Sequence, residues 1–128
     1  MLVTLKEIIE IAEENKVAIG SFNTPNLAAI EAVIGAAEEE DQPVILMFAE
    51  CHEEWVPLYL IGSAMLNAAK KAKVPVCVHL DHGEHTEYIR RALEIGFTGV
   101  MFDGSVLSYE ENVANTKKVV EMAKMCGA

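Results

Sequence analysis

Apolar and polar positions along the chain follow two periods in turn, one helical and one extended. Thr4-Leu5-Lys6-Glu7 has the spacing of a capping box, and Leu5, Ile8, Ile9 and Ala12 continue it as a helical stripe, which predicts an opening helix ending near Asn15. Val17 to Phe22 is a short, mostly apolar run reaching the polar Asn23, and Thr24-Pro25 has the character of a cap and first residue of a second helix. Leu27, Ile30, Val33, Ile34 and Ala37 give that helix its apolar face, and the acidic run Glu38 to Asp41 closes it in solvent. The same alternation then recurs. Pro43 to Phe48 is a fully apolar strand, and the next helix has Pro57 near its start and Lys70, Lys71 and Lys73 near its end, where cations suit the helix dipole. Pro75 to Asp81 is the third strand, followed by a helix from about Glu84 to Glu94 that stops at Gly96. Gly99 to Asp103 is the fourth strand, and Ser108-Tyr109-Glu110-Glu111 is a second capping box opening a last helix with Val113, Val120 and Ala123 on one face.

The order is an opening helix and then four βα units, an α/β pattern with room for a helical crossover between successive strands, so the strands are expected to be parallel. Near-continuous apolar strands imply burial on both faces. Polar residues collect where each strand ends: Asn23, then Glu50 and His52, then Asp81 and His82, then Asp103. In parallel α/β folds that edge carries the chemistry. Four βα units suit a small open sheet, and they are also half of a (β/α)8 barrel of roughly 250 residues; the pattern leaves both open.

Composition narrows the function classes. Of 128 residues, 52% are hydrophobic, enough for one domain with a core. Ten Lys+Arg against twenty Asp+Glu give a net charge of -10, which disfavours nucleic acid and anionic membrane surfaces as partners. The longest apolar stretch, Val56 to Leu66, is interrupted by Gly62 and Ser63 and is far short of the roughly 20 residues of a spanning helix. No signal-peptide pattern is visible, and Cys51, Cys77 and Cys126 form no C-x-x-C pair, so a cytoplasmic protein with reduced thiols is expected. Nucleotide-binding glycine fingerprints and a G-x-S-x-G nucleophile elbow are absent.

The densest chemical cluster is His79-Leu80-Asp81-His82-Gly83. Strand alternation puts Cys77, His79 and Asp81 on one side, with His82 at the turn and Gly83 there to permit unusual backbone angles. A neutral His82 suits a zinc ion while Asp81 exchanges a proton with a substrate hydroxyl; alternatively both are strand-end hydrogen-bonding groups. Asp103-Gly104-Ser105 either brings a carboxylate to the same mouth or is an ordinary Asp-Gly turn. Cys51-His52-Glu53-Glu54 offers metal-ligand types, or else simply opens the following helix. His85 reads as a first-turn helix residue, and Met47, Met65 and Met101 read as core.

Taken in order, Met1-Leu2-Val3-Thr4, Ala18 to Asn23, Pro43-Val44-Ile45-Leu46, His79 to Gly83, Gly96 to Met101, Asp103-Gly104-Ser105 and Glu110 to Val113 resemble the N-terminal half of the class II, zinc-dependent ketose-bisphosphate aldolases, the fructose- and tagatose-bisphosphate aldolase family. The resemblance covers essentially all 128 residues. It implies the first half of a TIM barrel, truncated before the fifth strand, and aldol cleavage or condensation of a phosphorylated ketose with zinc as Lewis acid. Within it Asp81 matches the catalytic acid/base, His82 the first zinc-ligating histidine, and Asp103 an aspartate associated with a second cation. The chain departs from the pattern at Ala49, where the family commonly places a serine that helps bind the aldehyde half of the substrate. The remaining zinc histidines and phosphate-binding loops belong to the half not represented, so the 128 residues alone are expected to be inactive or nearly so. The alternative expectation is a non-catalytic half-barrel module that self-associates through the apolar edges of its sheet; a homo-oligomer is expected on either reading.

Overall fold

A computed structural model describes residues Met1–Ala128. The elements are α1 (Leu5–Asn15), β1 (Gly20–Asn23), α2 (Leu27–Glu39), β2 (Val44–Ala49), a 3-10 turn (Glu50–Glu54), α3 (Leu58–Lys71), β3 (Val76–Gly83), α4 (Thr86–Ile95), β4 (Gly99–Phe102) and α5 (Tyr109–Cys126). All four strands are parallel, in the order β1-β2-β3-β4, so each βα unit adds one strand beside the last.

Both predicted capping boxes form. The Thr4 and Ser108 hydroxyls accept from the Glu7 and Glu111 N–H groups, and each glutamate reaches back to its cap. The second helix starts later than its Thr24-Pro25 signal. Asn26 is its cap, accepting from Ala29 N–H, because Thr24 is fully buried and its N–H and hydroxyl both donate to Met47 O. β1 is correspondingly short: Val17 to Ile19 lie outside the ladder. In α5 it is Val119 that is buried at 4% exposure, whereas Val120, one of the residues expected on the inner face, is 43% exposed.

Strand periodicity divides the sheet's two faces. Val44, Leu46 and Phe48 of β2 and Val76, Val78 and Leu80 of β3 point to the side covered by α2 to α5 and form its buried core with Ile30, Leu58, Met65 and Ile89. In register on the other face stand Ile45, Met47 and Ala49 beside Cys77, His79 and Asp81. At the amino end, the chain start is stitched to β3: Val3 N–H donates to Val76 O and Val76 N–H to Met1 O. α1 follows, with Leu5 N–H bonded to Thr98 O. Gly99 is required here, since a Cβ would stand 2.8 Å from Leu5 Cβ and 2.9 Å from His79 Nδ1.

The β3–β4 ladder slips by one residue near its carboxyl end, with Leu80 opposite Val100 but Gly83 opposite Phe102. Asp81 and His82 lie in this bulge, a device that re-aims side chains at a strand end. No helix is long and apolar enough to cross a membrane.

Leu46, with no exposed surface at the centre of the helix-facing core, sets the scale of packing stability. Leu46→Ala is expected to lower unfolding free energy by about 2–5 kcal/mol in urea denaturation, whereas Val106→Ala, at a side chain 90% exposed, should stay within about 0.5 kcal/mol.

Candidate active site

The carboxyl ends of the strands bring Asn23, Glu50, Asp81, His82 and Asp103 to one rim. Asp81 stands opposite Ala49, and the residue after it turns sharply: His82 has φ of 44°. A side chain at positive φ costs roughly 1–2 kcal/mol relative to ordinary backbone, so surrounding bonds must hold it. They are present. Asp103 N–H donates to Gly83 O at 2.8 Å, and Asp103 Oδ2 lies 2.7 Å from His82 Nδ1. Ser105 N–H donates to Asp103 Oδ1 at 3.0 Å, closing the Asp-Gly-Ser turn around the carboxylate. The unusual backbone angle expected at Gly83 is therefore found at His82. Gly83 serves a different need, because a Cβ there would meet Ile89 Cγ1 at 2.6 Å and Met101 O at 2.9 Å.

The contact leaves the two ring nitrogens of His82 in different states. Nδ1 is committed to Asp103; Nε2 is 3.9 Å from Asp81 Oδ2, beyond hydrogen-bond range. In the neutral ring, Nδ1–H donates to Asp103 and the Nε2 lone pair faces outward beside Asp81. Hydrogen bonding to Asp103 and then the Asp81 charge raise the His82 pKa above its ordinary value. The same hydrogen bond, with those from Ser105, holds Asp103 down to about 2. The His82 side chain is 57% exposed and that of Asp81 only 19%, so a reachable nitrogen sits next to a largely sheltered carboxylate.

This donor set suits one ligand position of a zinc ion. Metal-bound histidines typically give their second ring nitrogen to a carboxylate, as His82 does to Asp103. No group of three or more His, Cys, Asp or Glu side chains is arranged to hold a metal ion, so these residues offer one ligand position and not a complete set.

The other sequence candidates have structural work. His52 Nδ1 accepts from Ala49 N–H at 3.2 Å, and its ring packs edge-on to Phe48 and stacks on Trp55. Glu53 accepts from Leu58 N–H at the start of α3 and from Tyr88 and Arg91 of α4. Burial raises its pKa, and those three donors outweigh that and bring it below the ordinary value. Cys51 is exposed, and Cys77 is a buried thiol pushed up to about 11 by desolvation, which keeps it protonated and unreactive. His79 is half-buried beneath Asp81, its Nδ1 without a hydrogen-bond partner, and burial lowers its pKa. His85 is the residue before α4, and its ring nitrogen lies 2.6 Å from Glu50 Oε1. That pairing, across 35 positions of sequence, has no signal in either local motif.

Known proteins resemble this chain along nearly its whole length. The family described as fructose-bisphosphate aldolase class-II matches residues 3–128. A chain from Bacillus subtilis (strain 168) named "Probable fructose-bisphosphate aldolase" is 43% identical over 129 aligned residues, 98% of this chain and 45% of that one. The fructose-bisphosphate aldolase of Staphylococcus aureus (strain Mu50) is 40% identical over 125 residues, 95% of this chain and 44% of that one. This chain thus spans less than half the length of the curated relatives it matches. The crystal structure of the YdjI aldolase from Escherichia coli K12 superposes with a TM-score of 0.93 at 34% identity, covering 99% of this chain and 50% of that one. That likeness decides between the two architectures left open by the pattern: the four βα units are those of a TIM-barrel half rather than of an independent open sheet. From the matched family and the shared fold together, the chain belongs to the class-II fructose-bisphosphate aldolase family.

Proposed function

We propose that these residues form the part of a zinc-dependent aldolase site that moves the proton and supplies one metal ligand, for cleavage or condensation of a fructose- or tagatose-type ketose bisphosphate. The observation carrying this reading is the side-by-side placement of an outward-facing imidazole nitrogen, fixed from behind by Asp103, and the sheltered Asp81 carboxylate. Class II aldolases are metal-dependent, and a bound zinc ion would supply Lewis-acid polarisation of the ketose carbonyl. His82 would hold it through Nε2. Asp81 Oδ2 would take the proton from the substrate hydroxyl whose carbon becomes the aldehyde, and return it in the condensation direction. Asp103 keeps the His82 proton on Nδ1, which leaves Nε2 free to ligate. Asp103 would be the residue beside a second cation, which would add positive charge there. Ala49, opposite Asp81, offers no hydroxyl to the aldehyde half of a substrate, so the aldehyde partner need not be the usual triose phosphate. The same reading assigns the chain to cytoplasmic carbohydrate metabolism of the glycolytic type.

Catalytic zinc takes three protein ligands, and His82 alone is one. Ketose-bisphosphate cleavage by the 128 residues is therefore expected to be absent or very low, and robust turnover would refute the argument that the site is incomplete. Joined to the C-terminal part of the Staphylococcus aureus relative, they should turn over substrate; Asp81→Asn should then cost about 10²–10⁴-fold in kcat with zinc content retained, and His82→Ala should lose zinc. A folded, zinc-loaded chimera in which Asp81→Asn has no effect would refute the proton-transfer role.

The His82–Asp103 pair also predicts a pH response. The His82 pKa is raised, so its contribution to stability is present below the ordinary imidazole value of 6.5 and is lost as pH rises through the raised value. The Asp103 pKa is depressed, so its contribution is present above 3.8 and is lost as pH falls through about 2. By NMR titration of the ring protons, Asp103→Asn should bring the His82 pKa back down; an unchanged value would exclude the contact.

One observation favours the second reading, a self-associating module. β1 is an open edge with Phe22 half-exposed beside a cavity of about 460 Å³ lined by Ile19, Val33, Ala36 and Val44. On that reading sedimentation of the 128 residues gives a metal-independent dimer, and a stable monomer would count against it.

A further inference from the structure

The loop that carries His82 is held from two sides, and only one of them belongs to the site described above. On the β4 side, Asp103 grips the His82 ring and the Gly83 carbonyl. On the β2 side, Glu50 reaches across from the 3-10 turn. Its Oε2 accepts from Glu84 N–H at 2.8 Å and from His85 N–H at 3.1 Å, while Oε1 lies 2.6 Å from His85 Nδ1. The Glu50 side chain is only 18% exposed, whereas the His85 ring it meets is 74% exposed. The carboxylate is therefore the built-in part of the pair, and three contacts converge on it within the two residues that follow Gly83.

The position matters because the gripped stretch directly follows His82, the one residue on the rim at positive φ: β4 holds Gly83, and Glu50 holds Glu84 and His85. His82 at φ 44° would relax to an ordinary conformation if the chain beyond Gly83 were free to turn. Asp103 holds the His82 ring and the residue just after the bend; Glu50 holds the next two residues, which fixes the direction in which the chain leaves it.

We propose that Glu50 is a positioning residue: by anchoring the Glu84–His85 backbone it holds His82 in the bend that gives Nδ1 to Asp103 and turns Nε2 outward beside Asp81. This deepens the aldolase reading, since it assigns the residue that orients the proposed metal ligand, and it depends on that reading only for its functional consequence. The mechanism is reach rather than charge. Glutamine is the same length and can keep every contact: its carbonyl oxygen accepts the two backbone N–H groups, and its amide donates to His85 Nδ1 once that ring carries its proton on Nε2. Aspartate keeps the charge but is shorter by about 1.5 Å, which takes all three contacts beyond hydrogen-bond distance.

The test is the tautomer of the His82 ring in the full 128-residue chain, read from its ring ¹⁵N shifts at a pH where the imidazole is neutral. Wild type and Glu50→Gln are expected to show the Nδ1–H form with a hydrogen-bonded proton. Glu50→Asp is expected to lose that form to a mixture dominated by Nε2–H, with the backbone amide shifts of β1, β2 and α3 unchanged. His85→Ala, which removes the ring contact and leaves both backbone bonds, should retain the wild-type tautomer. The proposal is overturned if Glu50→Asp keeps the Nδ1–H form, if Glu50→Gln loses it as fully as Glu50→Asp, or if it disappears only together with the strand amide signals. Neither metal nor substrate enters the measurement, so its outcome is separate from that of the cleavage assay.

Discussion

The placement of every group on the rim depends on how β3 ends. Its body is a buried strand, with Val76, Val78 and Leu80 without exposed surface and hydrogen-bonded neighbours on both sides, so it cannot shift register without exposing its apolar side chains. Its last residues cannot continue in that regular form. The ladder to β4 gains one residue between Leu80 and Gly83, and the extra length is taken up where Asp81 and His82 sit. The positive φ at His82 is the visible consequence. A rigid strand thus delivers a bend to a fixed place, and bonds from the neighbouring strand ends hold that bend.

Those bonds also set the electrostatics. The Asp103 carboxylate that grips the His82 ring is the one that keeps a proton on Nδ1, so ring orientation and ring protonation are controlled by one side chain. The local sequence Asp-Gly-Ser supplies this: Ser105 N–H saturates one oxygen of Asp103, and the other is left to His82. A short chain of contacts thus runs from β4 through Asp103 to His82, with Asp81 beside it. Glu53, tying the start of α3 to Tyr88 and Arg91, joins the helices behind that rim and keeps neighbouring βα units in step.

The opposite end of the sheet is built for a different purpose. The N-terminal residues pair with the start of β3, and α1 approaches so closely that only glycine fits at position 99. This separation, with close packing at the amino end and polar, hydrogen-bonded loops at the carboxyl end, is the division of labour characteristic of parallel α/β barrels. It places the half-exposed His82 and the sheltered Asp81 at the end from which ligands approach.

Much of this was legible in the residues. Two capping boxes, the apolar strands and the spacing between them predicted all five helices and all four parallel strands, because those signals are local: a cap and its partner are three positions apart, and strand burial is written in continuous apolar runs. Asp81, His82 and Asp103 were also visible, as polar residues where apolar strands stop. The choice between open sheet and barrel half was not, since the pattern is common to both and needed a whole-fold comparison. Nor could the chain reveal that Thr24 would be claimed by Met47 O instead of capping α2, that His52 would be walled in by Phe48 and Trp55, or that the strained backbone would fall on His82 and not on Gly83. The Thr24 and His82 outcomes are settled by partners 21 or more positions away, and the His52 outcome by how the folded turn packs its ring between near neighbours. Local sequence encodes which conformations a residue prefers; only the folded sheet, by bringing Glu50, His82 and Asp103 to one edge, decides which of those preferences is overruled.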